Sequence, residues 1–236
     1  VIGATDFNLG MTIANNAANR FYKEVFTTDT EVDVTSPEAL DFYLDKVMDS
    51  SPETGVDIVY CAGLNLLDAI ADVAEVDLWN TFDVNVMGFI RLMRAIAQKF
   101  PRDINRFQKL ENQQRVNVVA VASDAARTPM RRSISYCASK AALVQAVRVA
   151  ARELAPYVRI NAVSPAIIDG TPMTVSIDAE VERQRGWSMV QRLEYERSMI
   201  PMGRRAEGWE VAQLVLNTLE GPVFLTGSNI EITGGK

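Results

Sequence analysis

Apolar residues recur along this chain in two alternating rhythms. Short, nearly unbroken β-branched runs, VDIVYCAG (56–63), VNVVAVAS (116–123) and VRINAVS (158–164), have the length of strands and the composition of strands covered on both faces. Longer stretches alternate with them, in which apolar side chains return every three or four positions: 37–50, 78–100, and an Ala-rich segment over 138–154 that contains no Gly or Pro. Strands alternating with helices predict an α/β fold with a parallel sheet. At the start, Val1–Ile2 reads as a strand end, followed by a turn and a helix from near Leu9, and EVFTT (24–28) reads as a second strand. Ser36-Pro37-Glu38 opens the next helix with an N-cap, a first-turn proline and an acid. Residues 101–115 form a polar, charged insertion expected to lie on the surface.

These elements predict one doubly wound, Rossmann-like domain over 1–236. The sheet should be shortened at one edge. Only four residues separate Asp29, at the end of the second strand, from Asp33, and a parallel crossover needs a dozen or more. A helix-strand unit after the second strand is therefore expected to be missing.

Composition narrows the function classes. No run of 18 apolar residues occurs, so no membrane span is expected. A net charge of −6 disfavours nucleic acid and anionic membranes as partners. The absence of histidine removes Ser-His-Asp catalysis and the commonest metal ligand, and no metal site is expected. Cys61 and Cys137 lack metal or redox spacing, which fits a reducing, cytoplasmic setting.

The chemistry concentrates in residues 123–140, SDAARTPMRRSISYCASK. Ser123 closes a buried strand, while Tyr136 and Lys140 stand four apart, on one helix face. A free phenol has a pKa near 10 and exchanges protons poorly at neutral pH. An ammonium beside it should favour the phenolate and lower that value, and a serine hydroxyl can orient the oxygen that gains or loses the proton. Arg127, Arg131 and Arg132 lie between Ser123 and Tyr136, where arginines could select an acidic substrate, although a solvated loop is the blander account.

The S-x12-Y-x3-K spacing resembles the short-chain dehydrogenase/reductase family, and the resemblance runs through nearly the whole chain. DVNVMGF (83–89) is similar to the family's helix with an active-site Asn, which maps onto Asn85. CAG (61–63) is similar to its NAG motif, with Cys61 in place of Asn. VRINAVSPA is similar to RVNxVxPG, keeping Asn161 and Pro165. The tail TG…I…GG closely resembles the family's last strand. The first turn departs most: relatives carry TGxxxGxG, whereas here Gly3 is followed only by Gly10, with Phe7, Asn8 and Leu9 where glycines would stand.

The resemblance implies an NAD(P)-dependent oxidoreductase, similar to 3-oxoacyl-carrier-protein reductases, that interconverts a small-molecule secondary alcohol and a ketone. It implies Tyr136 as acid/base and Lys140 as its partner and a ribose ligand. Ser123 would orient the substrate oxygen and Asn85 support the proton relay. Cofactor contacts fall on Gly3, Asn8, Leu9, Asp29, Asp33, Val34, Cys61, Ala62, Gly63, Tyr136, Lys140, Pro165, Ile168 and Thr171. Asp29, 26 residues past Gly3, favours NAD because a carboxylate there repels a 2′-phosphate, with NADP still possible. Residues from about 170 to 202 correspond to the substrate lid, and relatives assemble as homodimers or homotetramers. Two alternatives stand beside this. One is a degenerate member with weak or no cofactor binding and a structural or regulatory role, suggested by the altered turn, Cys61 and the lost unit. The other is a sugar-nucleotide epimerase or dehydratase, faintly echoed by GAT and Phe7.

Overall fold

The computed structural model describes residues 1–3, 8–20, 22, 25–27, 32–50, 55–99 and 116–236. Asp29, Phe7 and the insertion at 101–115 lie outside these described residues. Among the described residues, four parallel strands form one sheet in the order β1-β2-β3-β4: Val56–Tyr60, Val116–Val121, Val158–Pro165 and Asn229–Ile232. Pairing runs in register, with Ile58 opposite Val118 and Val118 opposite Ile160. Side chains along β2 alternate between two cores. Val116, Val118 and Ala120 join the cluster that includes Phe89, Leu92 and Leu143, whereas Val119 and Val121 join Ile13, Val211 and Val215. Both faces are thus covered, and that is why these strands read as continuous apolar runs rather than alternating ones.

Helices α1 (Leu9–Ala18) and α8 (Gly208–Leu219) cover one face. The other is covered by α2 (Pro37–Ser50), α4 (Gly88–Gln98) and α5 (Ile134–Leu154). The first strand segment fixes the winding. Val1 N donates to Phe26 O at 2.6 Å on one side, while Ile2 N donates to Val59 O and Cys61 N to Ile2 O, both at 2.8 Å, on the other. The chain therefore leaves Ile2 in one direction and returns to its opposite side as β1. This reversal is the topological switch point, beside which ligands bind in open α/β sheets.

The helix expected over 78–100 starts earlier, as α3 (Glu75–Phe82), and continues into α4 through a π-helical stretch at Asp83–Met87. The tyrosine helix also starts earlier, at Ile134, so Tyr136 and Lys140 both lie within α5. Asn161 ties the α8–β4 connection to the sheet, donating to Leu225 O at 2.9 Å and accepting from Ser228 N at 3.0 Å. Helices α6 (Pro172–Arg185) and α7 (Met189–Met199) follow β3. Among the described residues, no helix is long and apolar enough to cross a membrane.

Candidate active site

A cavity of about 560 Å³ opens at the carboxyl ends of the strands, within the range of small-molecule sites. Its floor begins at Gly3. That residue has φ +83°, and a Cβ there would fall 2.5 Å from Ala62 N and 2.7 Å from Ala62 Cα. Only glycine lets the first turn lie so close to the backbone beyond β1. Gly3→Ala should therefore cost about 2 kcal/mol or more in stability, read as a lowered urea midpoint at unchanged slope. An unchanged midpoint would show that the close approach does not matter.

Asn8 and Leu9 bring the N-terminus of α1 to the same wall. The Asn8 side chain is engaged in the turn itself, accepting from Met11 N at 2.9 Å and donating to Gly3 O at 3.0 Å. It takes one of the helix's orphan donors and fixes the helix end against the strand.

Ser123, Tyr136 and Lys140 line the cavity, all buried. Ser123 caps a short 3₁₀ turn at Asp124–Ala126, with its hydroxyl accepting from Ala125 N at 3.2 Å. Lys140 Nζ donates to Val121 O at 2.9 Å and lies 5.7 Å from the centroid of the Tyr136 ring, over its face. Burial pushes the lysine down to about 8. Burial likewise pushes the Tyr136 phenol up to about 12, which Ser123 opposes and the Asp124 charge reinforces. The expectation of a phenol held below its ordinary value by Lys140 is thus corrected: burial is the largest influence on it and raises it, while the Lys140 ammonium donates its hydrogen bond to the strand carbonyl.

Asn85 sits in the π-helical stretch, fully buried. Its Oδ1 accepts from Leu64 N at 2.7 Å, and its Nδ2 donates to Leu64 O at 2.9 Å and to Ser139 Oγ at 2.8 Å. Instead of facing the cavity directly, it clamps the backbone that follows Gly63 to the helix carrying Tyr136 and Lys140. A Cβ on Gly63 would reach to 3.4 Å from Lys140 Nζ and 3.7 Å from Asn85 Oδ1, so the missing side chain leaves the space over both groups open.

Cys61, Ala62 and Gly63 beyond β1, and Pro165, Ile168 and Thr171 beyond β3, complete the wall. Burial pushes the Cys61 thiol up to about 11. Thr171 caps α6, its Oγ1 accepting from Thr174 N at 3.2 Å, and Ile168 O accepts from Thr174 Oγ1 at 2.6 Å. Asp33 and Val34 do not line the cavity. Val34 points into the core beneath Gly88, whose added Cβ would meet Val34 Cβ at 3.0 Å. Asp33 turns the other way, to solvent, and accepts from Thr35 N at 2.8 Å and Thr35 Oγ1 at 2.7 Å, bonds that hold its carboxyl below the usual value.

The structure adds wall residues that the motifs did not supply. Met173, Ile177, Val181 and Arg185, four apart along α6, face the cavity together with Leu67 and Met130. Their i, i+4 spacing was the available signal. Asp124, buried beside Ser123, pairs with Lys236 Nζ at 2.8 Å.

These residues fit a dinucleotide. Two glycines allow close backbone approach, a helix N-terminus faces the cavity, and a buried ammonium, phenol and serine hydroxyl gather at its inner end. A sequence profile described as "short chain dehydrogenase" matches residues 9–182. The chain is 31% identical over 180 residues to L-xylulose reductase of Caenorhabditis elegans, covering 75% of this chain and 64% of that one. It is 36% identical over 163 residues to 2,3-dihydro-2,3-dihydroxybenzoate dehydrogenase of Escherichia coli, covering 67% and 60%. It thus spans less than two thirds of the length of both relatives. A short chain dehydrogenase family protein from Francisella tularensis superposes with a TM-score of 0.80 at 21% identity, covering 99% of this chain and 96% of that one, a likeness of fold.

Proposed function

The chain belongs to the short-chain dehydrogenase family, and from that premise we propose that it interconverts a secondary alcohol and a ketone with NAD(P). The observation that carries this is the burial of Ser123, Tyr136 and Lys140 around one cavity, with Asn85 bracing it from behind, at the sheet's switch point. The bound nicotinamide would supply or accept the hydride.

The protein's own groups handle the proton. In the direction of ketone reduction, Tyr136 Oη is protonated at neutral pH, since burial holds it near 12, and it donates to the substrate oxygen. Ser123 Oγ, on the same wall, orients that oxygen. Lys140 offsets the phenolate left behind and reaches the ribose hydroxyls, while Asn85 acts as a positioning residue that keeps Leu64 and Ser139 in register. Gly3, Asn8 and Leu9 take the pyrophosphate, Cys61 to Gly63 the ribose, and Pro165, Ile168 and Thr171 the carboxamide.

Asp29 supports NAD over NADP by its sequence position. Segment 170–202 acts as the lid of a single domain. Assembly into a homodimer or homotetramer is supported by Trp79, Met87 and Ile90, exposed along α3, the π-helical stretch and α4. Free thiols at Cys61 and Cys137 support a cytoplasmic setting. Calorimetric titration with NADH and NADPH tests the whole proposal: one of them should bind, and absence of binding to both at millimolar concentration would overturn it.

A further inference from the structure

We infer that the substrate carries an anionic oxygen group, a carboxylate or a phosphate, held by Arg131, Arg132 and Arg185 where the cavity meets a second recess. This rests on the proposed function and names the substrate class of the same site. A second recess of about 490 Å³, bounded by Ala69, Ile70, Gln184 and these three arginines, adjoins the main cavity and shares its arginine wall. Two of the cations come from the turn before α5 and one from the end of α6. Three guanidiniums gathered from two elements onto one wall oppose a whole-chain charge of −6.

Their charge is not cancelled from within. Among the described residues, none of the three forms an ion pair, and Arg185 lies with its guanidinium 4.8 Å from the Trp187 ring centroid. The acids of the cavity wall are already matched. Asp178 and Glu196 bind Arg205 at 3.0 Å and 2.6 Å, Arg192 also meets Asp178 at 2.8 Å, and Asp124 is taken by Lys236. Glu180 is the acid that feels the Arg132 charge, and it is bound by Arg183 and Gln184. Arg127 is excluded from the cluster, because it pairs with Glu231 at 3.1 Å and donates to Lys236 O.

Arg132 has φ +64°, the one non-glycine residue with a positive φ among those described, so its direction is set by an unusual backbone. The cavity that holds Tyr136 and the arginines also carries the apolar side chains of Leu67, Met130, Ile177 and Val181. The arrangement suits a molecule with its carbonyl at Tyr136, a short apolar body, and an oxyanion that takes the planar, forked donors of arginine.

Calorimetric titration of the full chain with benzoate, phenyl phosphate and benzyl alcohol tests this. At least one anion should bind about tenfold more tightly than the alcohol, and the tighter of the two identifies the group. A variant combining R131Q, R132G and R185Q should lose about tenfold in anion affinity and keep its weak affinity for the alcohol. The R132G change suits the positive φ, and R185Q alone, on an exposed helix position, should lose about threefold even if the combined variant misfolds. Equal affinity for anion and alcohol, no anion binding, or anion binding unaffected by the substitutions overturns the inference. Failure of the oxidoreductase proposal reads differently: NADH and NADPH would not bind, whatever the anions do.

Discussion

Tyr136→Phe is expected to lower turnover by about a thousandfold while leaving NADH or NADPH affinity within a few-fold, because a positioned acid/base contributes about 10²–10⁴. Phenylalanine keeps the ring and its burial and removes only the oxygen beside Ser123. The two directions of reaction should also differ in pH dependence. Burial holds the phenol near 12, so it is protonated throughout the neutral range. Reduction of a ketone, which consumes that proton, should be flat from pH 6 to pH 7 and decline from there as Lys140, held near 8, loses its charge. Oxidation of an alcohol needs the phenolate, whose population grows about tenfold per pH unit below the pKa, so its rate should climb with pH. In Tyr136→Phe the residual oxidation rate should lose that slope. A variant that turns over normally, or an oxidation rate independent of pH in the parent protein, would remove Tyr136 from the acid/base role.

The parts of this site that stood clear in the sequence are those set by local chemistry. Ser123 at a strand end and Tyr136 and Lys140 one helical turn apart were legible because strand length and the i, i+4 rule act over a few residues. The parallel sheet was legible for the same reason: a strand covered on both faces carries apolar residues at every position. Asn85 could be picked out, but its surroundings could not. A π-helical stretch has no hydrophobic period of its own, and the clamp on Leu64 and Ser139 joins positions 21 and 54 residues away.

Charge was the least legible property. Arg127, Arg131 and Arg132 look equivalent as a string, yet Arg127 is drawn off by Glu231 across 104 residues, and Arg185 takes its place from another helix. Asp33 and Val34 read as one unit in the string, and the chain alternates there, sending Asp33 to solvent and Val34 to the core. The sign of the Tyr136 shift was missed for a related reason. Sequence shows that a cation is four residues away, but not how completely the phenol is desolvated or that the cation's hydrogen bond is committed to Val121.

Lys140→Met should separate function from stability. Turnover should fall about a hundredfold, because the phenolate then has no cation to offset it in a water-poor site. Stability should move in favour of the variant at neutral pH. Burial lowers the lysine from 10.5 to about 8 in the folded chain, so between those values the unfolded chain binds the proton and the folded one does not. Stability therefore rises with pH across that window. Below pH 8 the buried ammonium carries a penalty of about 3 kcal/mol, released as pH climbs towards 10.5. Methionine fills a similar volume with no charge to desolvate, although it leaves Val121 O without its donor, a loss of about 1–2 kcal/mol. The net expectation is a variant about 1–2 kcal/mol more stable than the parent at pH 7, with the advantage gone by pH 10. Denaturant midpoints for both proteins at pH 7 and pH 10 decide it. If the stability difference is the same at both values, Lys140 is not the buried titrating group, and its place beside Tyr136 loses its electrostatic meaning.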